Sequence, residues 1–133
     1  MLKVWGRISS INVRKVVFTA QLLQLPFERI DAGAAFGITK TPEYLQHNPN
    51  ALVPTLEDGD FFLWESNVIV RYLAAKHSAD KLWPTDLRKR ADVDRWMEWL
   101  STAFVPSPPA PCVFGTTRGT TCRSSAAAPN RVC

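Results

Sequence analysis

Apolar and polar positions along this chain fall into short segments of clear period. Leu2-Lys3-Val4-Trp5 reads as a strand, and Gly6 to Ser10 as a loop. From Asn12 onward, Val13, Val16, Val17, Ala20 and Leu23 recur at helical spacing, with Ser10 placed to cap the helix. Pro26 closes the connection, and Phe27 to Asp31 alternates like a second strand. Ala32 to Asn50, punctuated by Gly33, Gly37, Pro42 and Pro49, predicts irregular structure. Pro54 to Glu57 and Asp60 to Trp64 then flank Asp58-Gly59, a two-residue hairpin signal. Ser66 is expected to cap a helix that places Ile69, Tyr72, Leu73 and the Lys76 stem on one side.

The element order is βαβ followed by ββα, which predicts an α/β fold of thioredoxin-like layout: a four-stranded mixed sheet with helices around it. Leu82-Trp83-Pro84 breaks the chain, and a charged helix runs from Asp86 to about Phe104. Val93, Met97, Leu100 and Phe104 form one apolar stripe on it; Trp96, Trp99 and Ala103 form another. Two apolar sides call for two packing partners, so this helix reads as an ordinary core helix of a larger domain. The expected division is 1–80 as the sheet domain, 81–104 as linker and helix of a further domain, and 105–133 as a tail.

Composition matters most in that tail. It holds five of the ten prolines, all three cysteines and no Asp, Glu, Lys, Leu or Ile. Such a segment buries too little apolar surface to offset ordering entropy, and disorder is expected. The abrupt switch after Phe104 suggests a change of reading frame. The net charge of +4 also lies mostly there, since residues 1–104 carry thirteen Lys/Arg against all twelve Asp/Glu. Balanced charge in the folded part argues against nucleic-acid binding. No apolar run reaches about 18 residues, and the N-terminus has no signal-peptide pattern, so a cytoplasmic protein is expected and no membrane partner. Without Cys in residues 1–104, neither a dithiol redox site nor a metal site is supported.

Candidate chemistry concentrates near residues 9–12 and 48–66. Ser9, Ser10 and Asn12 are hydroxyl or amide donors at a helix start. Leu52-Val53-Pro54 can offer backbone groups, and Glu65-Ser66 opens a helix whose N–H groups can receive a carboxylate.

The ordered set Ser9-Ser10, Leu25-Pro26-Phe27-Glu28, Asn48-Pro49, Leu52-Val53-Pro54, Asp58-Gly59 and Glu65-Ser66 with Ile69, Tyr72 and Leu73 resembles the cytosolic glutathione transferases, particularly theta-like and other bacterial members. The resemblance covers the glutathione-binding domain and the first helix of the second domain, and it implies that 81–104 is the linker and first helix of an incomplete all-helical domain. It implies binding of glutathione as co-substrate, without a metal, and conjugation of its thiol to a small electrophile in detoxification. It implies Ser10 as the thiol-activating residue, with Ser9 and Asn12 as alternates. A hydroxyl at a helix start favours the thiolate, which a free thiol reaches only near a pKa of roughly 8.5. It implies a cis Val53-Pro54 bond with Val53 pairing strand-like to the cysteinyl unit. Glu65 would face the γ-glutamyl ammonium and Ser66 its carboxylate. Lys40 and His47, with Thr39 and Asn50 behind them, are candidates for the glycyl carboxylate. A homodimer is implied, and the exposed side of 86–104 at Trp96 and Trp99 reads as an association surface. A non-catalytic interaction module on the same fold is the alternative function.

Overall fold

The structure is a computed structural model and describes residues 1–104. The expectations for 105–133, disorder and a shifted frame, lie outside the described residues. Strands β1 (Leu2–Trp5), β2 (Phe27–Ile30), β3 (Thr55–Asp58) and β4 (Phe61–Trp64) form one sheet in the order β2-β1-β3-β4. β1 runs parallel to β2 and antiparallel to β3, and β3 is antiparallel to β4. Helices α1 (Ile11–Leu22), α2 (Pro42–His47), α3 (Ser66–His77) and α4 (Leu87–Trp99) complete the order. The expected βαβ-ββα arrangement is therefore present, followed by the first helix of the second domain.

Alternation along the strands decides which face is buried. Leu2, Val4 and Leu56 point to one face and pack against Val13, Val16 and Val17 of α1 and Ile69 and Leu73 of α3. Each such side chain contributes about 1.5–3 kcal/mol when fully buried, so this layer is the main source of stability. Lys3, Trp5, Thr55, Glu57 and Phe62 point to the opposite face, which α2 partly covers. Tyr44 lies edge-on to Trp5, their ring centroids 6.3 Å apart, and His47 stacks on Phe62 at 3.5 Å.

The segment 32–50, expected to be irregular, contains α2 and a single 3-10 turn at Ala34–Phe36. Thr41-Pro42-Glu43 is a helix start: the Thr41 hydroxyl accepts from the Tyr44 N–H at 3.3 Å, Pro occupies the first turn, and Glu43 favours its positive end. Pro42, which punctuates the sequence pattern, is here a first-turn residue. The hairpin turn lies at Gly59-Asp60, one residue later than expected, because Asp58 pairs with Phe61. Gly59 has φ +68° while Asp60 is not left-handed, the pattern of a II′ turn.

Helix α4 starts as expected, with the Asp86 carboxylate accepting from the Lys89 N–H at 2.9 Å. Half-buried Val93, Met97 and Leu100 belong to one stripe, while Trp96 and Trp99 are exposed. Leu100–Phe104 continues as a π-helical turn. That wider turn carries Phe104 out of the first stripe and onto Trp99, five residues earlier, at 5.7 Å. Arg71 of α3 anchors α4: its Nε lies 2.7 Å from Asp94, its Nη2 lies 2.5 Å from Glu98, and its guanidinium sits 5.8 Å from the Trp83 ring centroid.

Candidate functional site

Strand register brings the candidate residues together. Trp5 pairs with Thr55, and Thr55 pairs with Trp64. The loop leaving β1, the segment entering β3 and the chain leaving β4 therefore meet at one end of the sheet. They carry Ser9-Ser10, Val53-Pro54 and Glu65-Ser66 respectively.

The first loop is held from below. The Gly6 N–H donates to the Ile30 carbonyl at 2.8 Å, and the Gly6 carbonyl accepts from Arg29 at 3.0 Å. Arg29 also pairs with Asp31. Gly6 adopts φ +154°, and an added Cβ would lie 2.4 Å from a Val13 methyl and 3.2 Å from Val53 Cβ. A side chain there would push the loop and Val53 apart. Arg14 Nε donates to the Ile8 carbonyl at 2.8 Å and fixes the far end of the loop.

Ser10 occupies the N-cap position of α1, as expected, but its hydroxyl makes no capping bond. The half-buried side chain thus leaves its proton uncommitted to the helix. Ser9 is exposed. Asn12 is also exposed and reaches α3, where its Oδ1 accepts from Ser66 Oγ at 3.4 Å.

Asn12, Val53, Pro54, Glu65 and Ser66 share a cleft of about 60 Å³ with Asn50 and Trp64. The Val53-Pro54 peptide is cis. Ser66 is buried, and it is the first residue of α3 rather than its N-cap. Glu65 takes the N-cap position with φ +72° and makes no side-chain cap bond. The chain must turn sharply out of β4 here, and a non-glycine residue at such φ costs on the order of 1–3 kcal/mol. The start of this 12-residue helix, whose Glu65 and Ser66 line the cleft, is consequently left without a capping side chain. Uncapped N–H groups and the positive end of the helix favour an anion there.

Behind the helix start, Lys15 Nζ donates to Asn67 Oδ1 at 2.9 Å, and Asn67 Nδ2 donates to Ser101 Oγ at 2.8 Å. Burial lowers the Lys15 pKa, opposed by the nearby Glu65 carboxylate. This relay ties α1, α3 and the helix-end segment after α4 around the cleft.

The segment entering β3 has its own scaffold. Tyr44 Oη donates to the Leu52 carbonyl at 2.6 Å and lies 2.7 Å from Thr55 Oγ1. Asn48 Nδ2 donates to the same carbonyl at 2.9 Å and to Thr55 Oγ1 at 3.0 Å. Burial raises the Tyr44 pKa, against its bonds to Thr55 and Asn48, so the phenol stays protonated as a donor. Residue types alone could not show that Tyr44, Arg29 or Arg14 would support the site, because their partners are backbone carbonyls.

Two candidates lie elsewhere. Lys40 is exposed in the loop before α2, and His47 stacks on Phe62 on the α2-covered face rather than lining the cleft. Thr39 is buried, whereas Asn50 does line the cleft.

Comparison with known proteins agrees with this fold. A family model described as "Glutathione S-transferase, N-terminal domain" matches residues 1–75. The chain is 48% identical over 103 residues to glutathione S-transferase GstB of Escherichia coli K12, covering 76% of this chain and 50% of that one. It is 38% identical over 101 residues to glutathione S-transferase 1 of Manduca sexta, covering 74% and 46%. Among solved structures, it superposes with TM-score 0.74 on a theta class glutathione S-transferase from Xanthomonas axonopodis pv. citri with glutathione bound. That pair is 47% identical and covers 77% of this chain and 49% of the other. Glutathione transferase F2 of Populus trichocarpa gives TM-score 0.74 at 32% identity, covering 80% and 51%. The chain spans about half the length of the curated relatives it matches.

Proposed function

Because the chain belongs to the glutathione S-transferase family through its N-terminal domain, we propose that its cleft binds glutathione and holds the thiol as thiolate for attack on a small electrophile. The observation that carries this reading is the uncapped start of α3 at Glu65-Ser66, sharing one cleft with Val53-Pro54 and Asn12. In this reading the γ-glutamyl carboxylate takes the Ser66 hydroxyl and the first-turn N–H groups, and Glu65 faces the ammonium. Val53 pairs with the cysteinyl backbone in an extended fashion. Asn50, which lines the cleft, serves the glycyl carboxylate, whereas Lys40 and His47 lie off the cleft lining.

The sulfur then lies at the start of α1. The Ser10 hydroxyl, free of capping duty, donates to it, and the positive end of α1 adds to the stabilisation of the thiolate. Ser9 and Asn12 remain the alternates for that donor. The thiol proton passes to solvent. A sulfur lone pair forms the new S–C bond, and the leaving group departs with its bonding electrons; with an unsaturated acceptor, carbon takes a proton from water instead. Conjugation is assigned to the sheet domain (1–80) acting with a helical domain that begins with α4, and a homodimer is proposed for that whole assembly.

The test is calorimetric titration of the chain with glutathione and with S-methylglutathione. Both should bind saturably, since the anchoring is at the backbone and γ-glutamyl end. Ser66→Ala should weaken both by about tenfold, the worth of one hydrogen bond to a charged group. No saturable heat with either ligand would overturn the reading and leave the non-catalytic module as the better account.

A further inference from the structure

On the α2-covered face of the sheet lies a cavity of about 170 Å³ between α2 and the outward side chains of β1, β3 and β4. Its walls are Trp5, Tyr44 and the stacked pair His47–Phe62, with Ile38 at the loop side and Glu57 at one end. We propose that this cavity is a second binding site, taking one flat, uncharged aromatic ring system of benzene to indole size.

Size sets the upper limit. Drug-sized ligands occupy pockets of roughly 300–1,000 Å³, whereas an apolar protein cavity of about 150 Å³ stays dry and accepts benzene. Wall chemistry sets the shape. Trp5 and Tyr44 meet edge to face with interplanar angle 71°, and His47 and Phe62 lie nearly parallel at 12°. A planar guest would meet ring faces and edges, the arrangements aromatic pairs prefer. Glu43, which lines the cavity, disfavours an anionic guest. Glu57 is itself committed: Oε1 accepts from Lys3 at 2.7 Å and Oε2 accepts from Trp5 Nε1 at 3.0 Å. Its charge is already compensated by Lys3, so a cationic guest gains little over a neutral one.

The walls are also preformed. Helix α2 is fixed at its start by the Thr41 cap and at its end by the Tyr44 and Asn48 bonds to Leu52 and Thr55. The cavity cannot simply close without breaking that network. It is a different space from the cleft, so its occupancy does not depend on glutathione being bound.

The experiment is an NMR titration of the whole chain with indole, without glutathione. The indole N–H of Trp5 and the backbone amides of Thr41 and Phe62 should shift together and saturate, with Kd on the order of 1 mM for a ligand of nine heavy atoms. Phe62→Trp, which narrows the cavity from a strand position that tolerates Trp, should abolish saturation while the Val16 and Leu73 amides keep their native shifts. The proposal is overturned if the Trp5 signal moves linearly without saturating. It is equally overturned if shifts are confined to the exposed Trp96 and Trp99, or if Phe62→Trp with native core shifts binds indole unchanged. Glutathione titrated into the same sample reports separately at Ser66 and Val53, so the two readings fail independently.

Discussion

The hydroxyl of Tyr44 donates to the carbonyl of Leu52 at 2.6 Å, and through this bond a helix on one face of the sheet holds the segment that enters the cleft on its edge. The proton count closes. Tyr44 gives its proton to Leu52, Thr55 gives its own to Tyr44, and the two Asn48 amide protons go to Leu52 and Thr55. Tyr44→Phe leaves one buried hydroxyl short of an acceptor and should cost about 1–2 kcal/mol. Because Val53 follows Leu52 directly, glutathione affinity should fall several-fold as well. Urea denaturation read with a glutathione titration checks both; a stability loss with unchanged affinity would show that Leu52 does not position Val53.

A second prediction concerns Ser10. Removing its hydroxyl in Ser10→Ala should leave glutathione affinity within about twofold, since the anchoring lies at α3 and Val53. The thiol pKa of bound glutathione should rise toward its free value of roughly 8.5, seen as loss of thiolate absorbance near neutral pH. Unaltered thiolate absorbance would transfer the role to Ser9 or Asn12.

Much of this site was legible because its residues sit at element boundaries that the hydrophobic pattern already marks. Val13, Val16 and Val17 place the start of α1, and the hairpin places the start of α3, so the pattern puts Ser10 and Glu65-Ser66 at helix starts; their roles toward glutathione, and that of Val53-Pro54, come from the resemblance to the cytosolic glutathione transferases. What the pattern hid was of two kinds. Helix α2 spans six residues, too few for periodicity to register, and its Pro42 reads in the sequence as punctuation although it is a first-turn residue. The bonds from Arg14, Arg29 and Tyr44 end on main-chain carbonyls, and no residue type announces that. His47, a candidate for the glycyl carboxylate, stacks on Phe62 outside the cleft lining, a contact that the sequence pattern does not show.

Asp58 supplies a pH dependence. Hydrogen bonds from Lys76 and then Tyr72 hold its carboxyl below the usual carboxylate range, against a smaller effect of burial. The Tyr72 Oη to Asp58 Oδ2 distance is 2.7 Å and that from Lys76 Nζ is 2.5 Å, so the hairpin is pinned to α3. A carboxyl whose folded pKa is depressed contributes stability that is whole above its unfolded pKa of about 3.9 and is lost as pH falls through the folded value. Asp58→Asn should therefore destabilise by about 0.5–1.5 kcal/mol at pH 7. The difference from the unsubstituted chain should shrink below about pH 4. Thermal unfolding across pH 3–7 measures it, and a constant difference would contradict the pairing.

Arg71 governs α4 separately from the sheet. Its side chain is 19% exposed, and its partners Asp94 and Glu98 are 42% and 58% exposed, so screening keeps the paired contribution modest. Arg71→Ala removes both ion pairs and the contact with Trp83. Amide hydrogen exchange should then accelerate about tenfold across residues 87–99 while α1 and β1 stay protected. Uniform acceleration over the whole chain would mean that α4 and the sheet open as one unit.

The conformation of Glu65 sets stability against binding. At φ +72° its side chain carries a strain that glycine would not. Nor does it repay that strain by capping α3. Glu65→Gly should therefore relieve the backbone, though glycine adds freedom to the unfolded chain, leaving a net gain of about 0.5–1 kcal/mol. The same change removes the carboxylate proposed to face the glutathione ammonium, and affinity should drop at least tenfold. Most substitutions that impair a site through the fold lower both quantities together, so opposite signs are diagnostic. Differential scanning calorimetry with and without glutathione reads them in one experiment. A variant with a lower melting temperature would show that the strained turn is supported by contacts of the Glu65 side chain, and one with undiminished glutathione protection would remove Glu65 from the ammonium site.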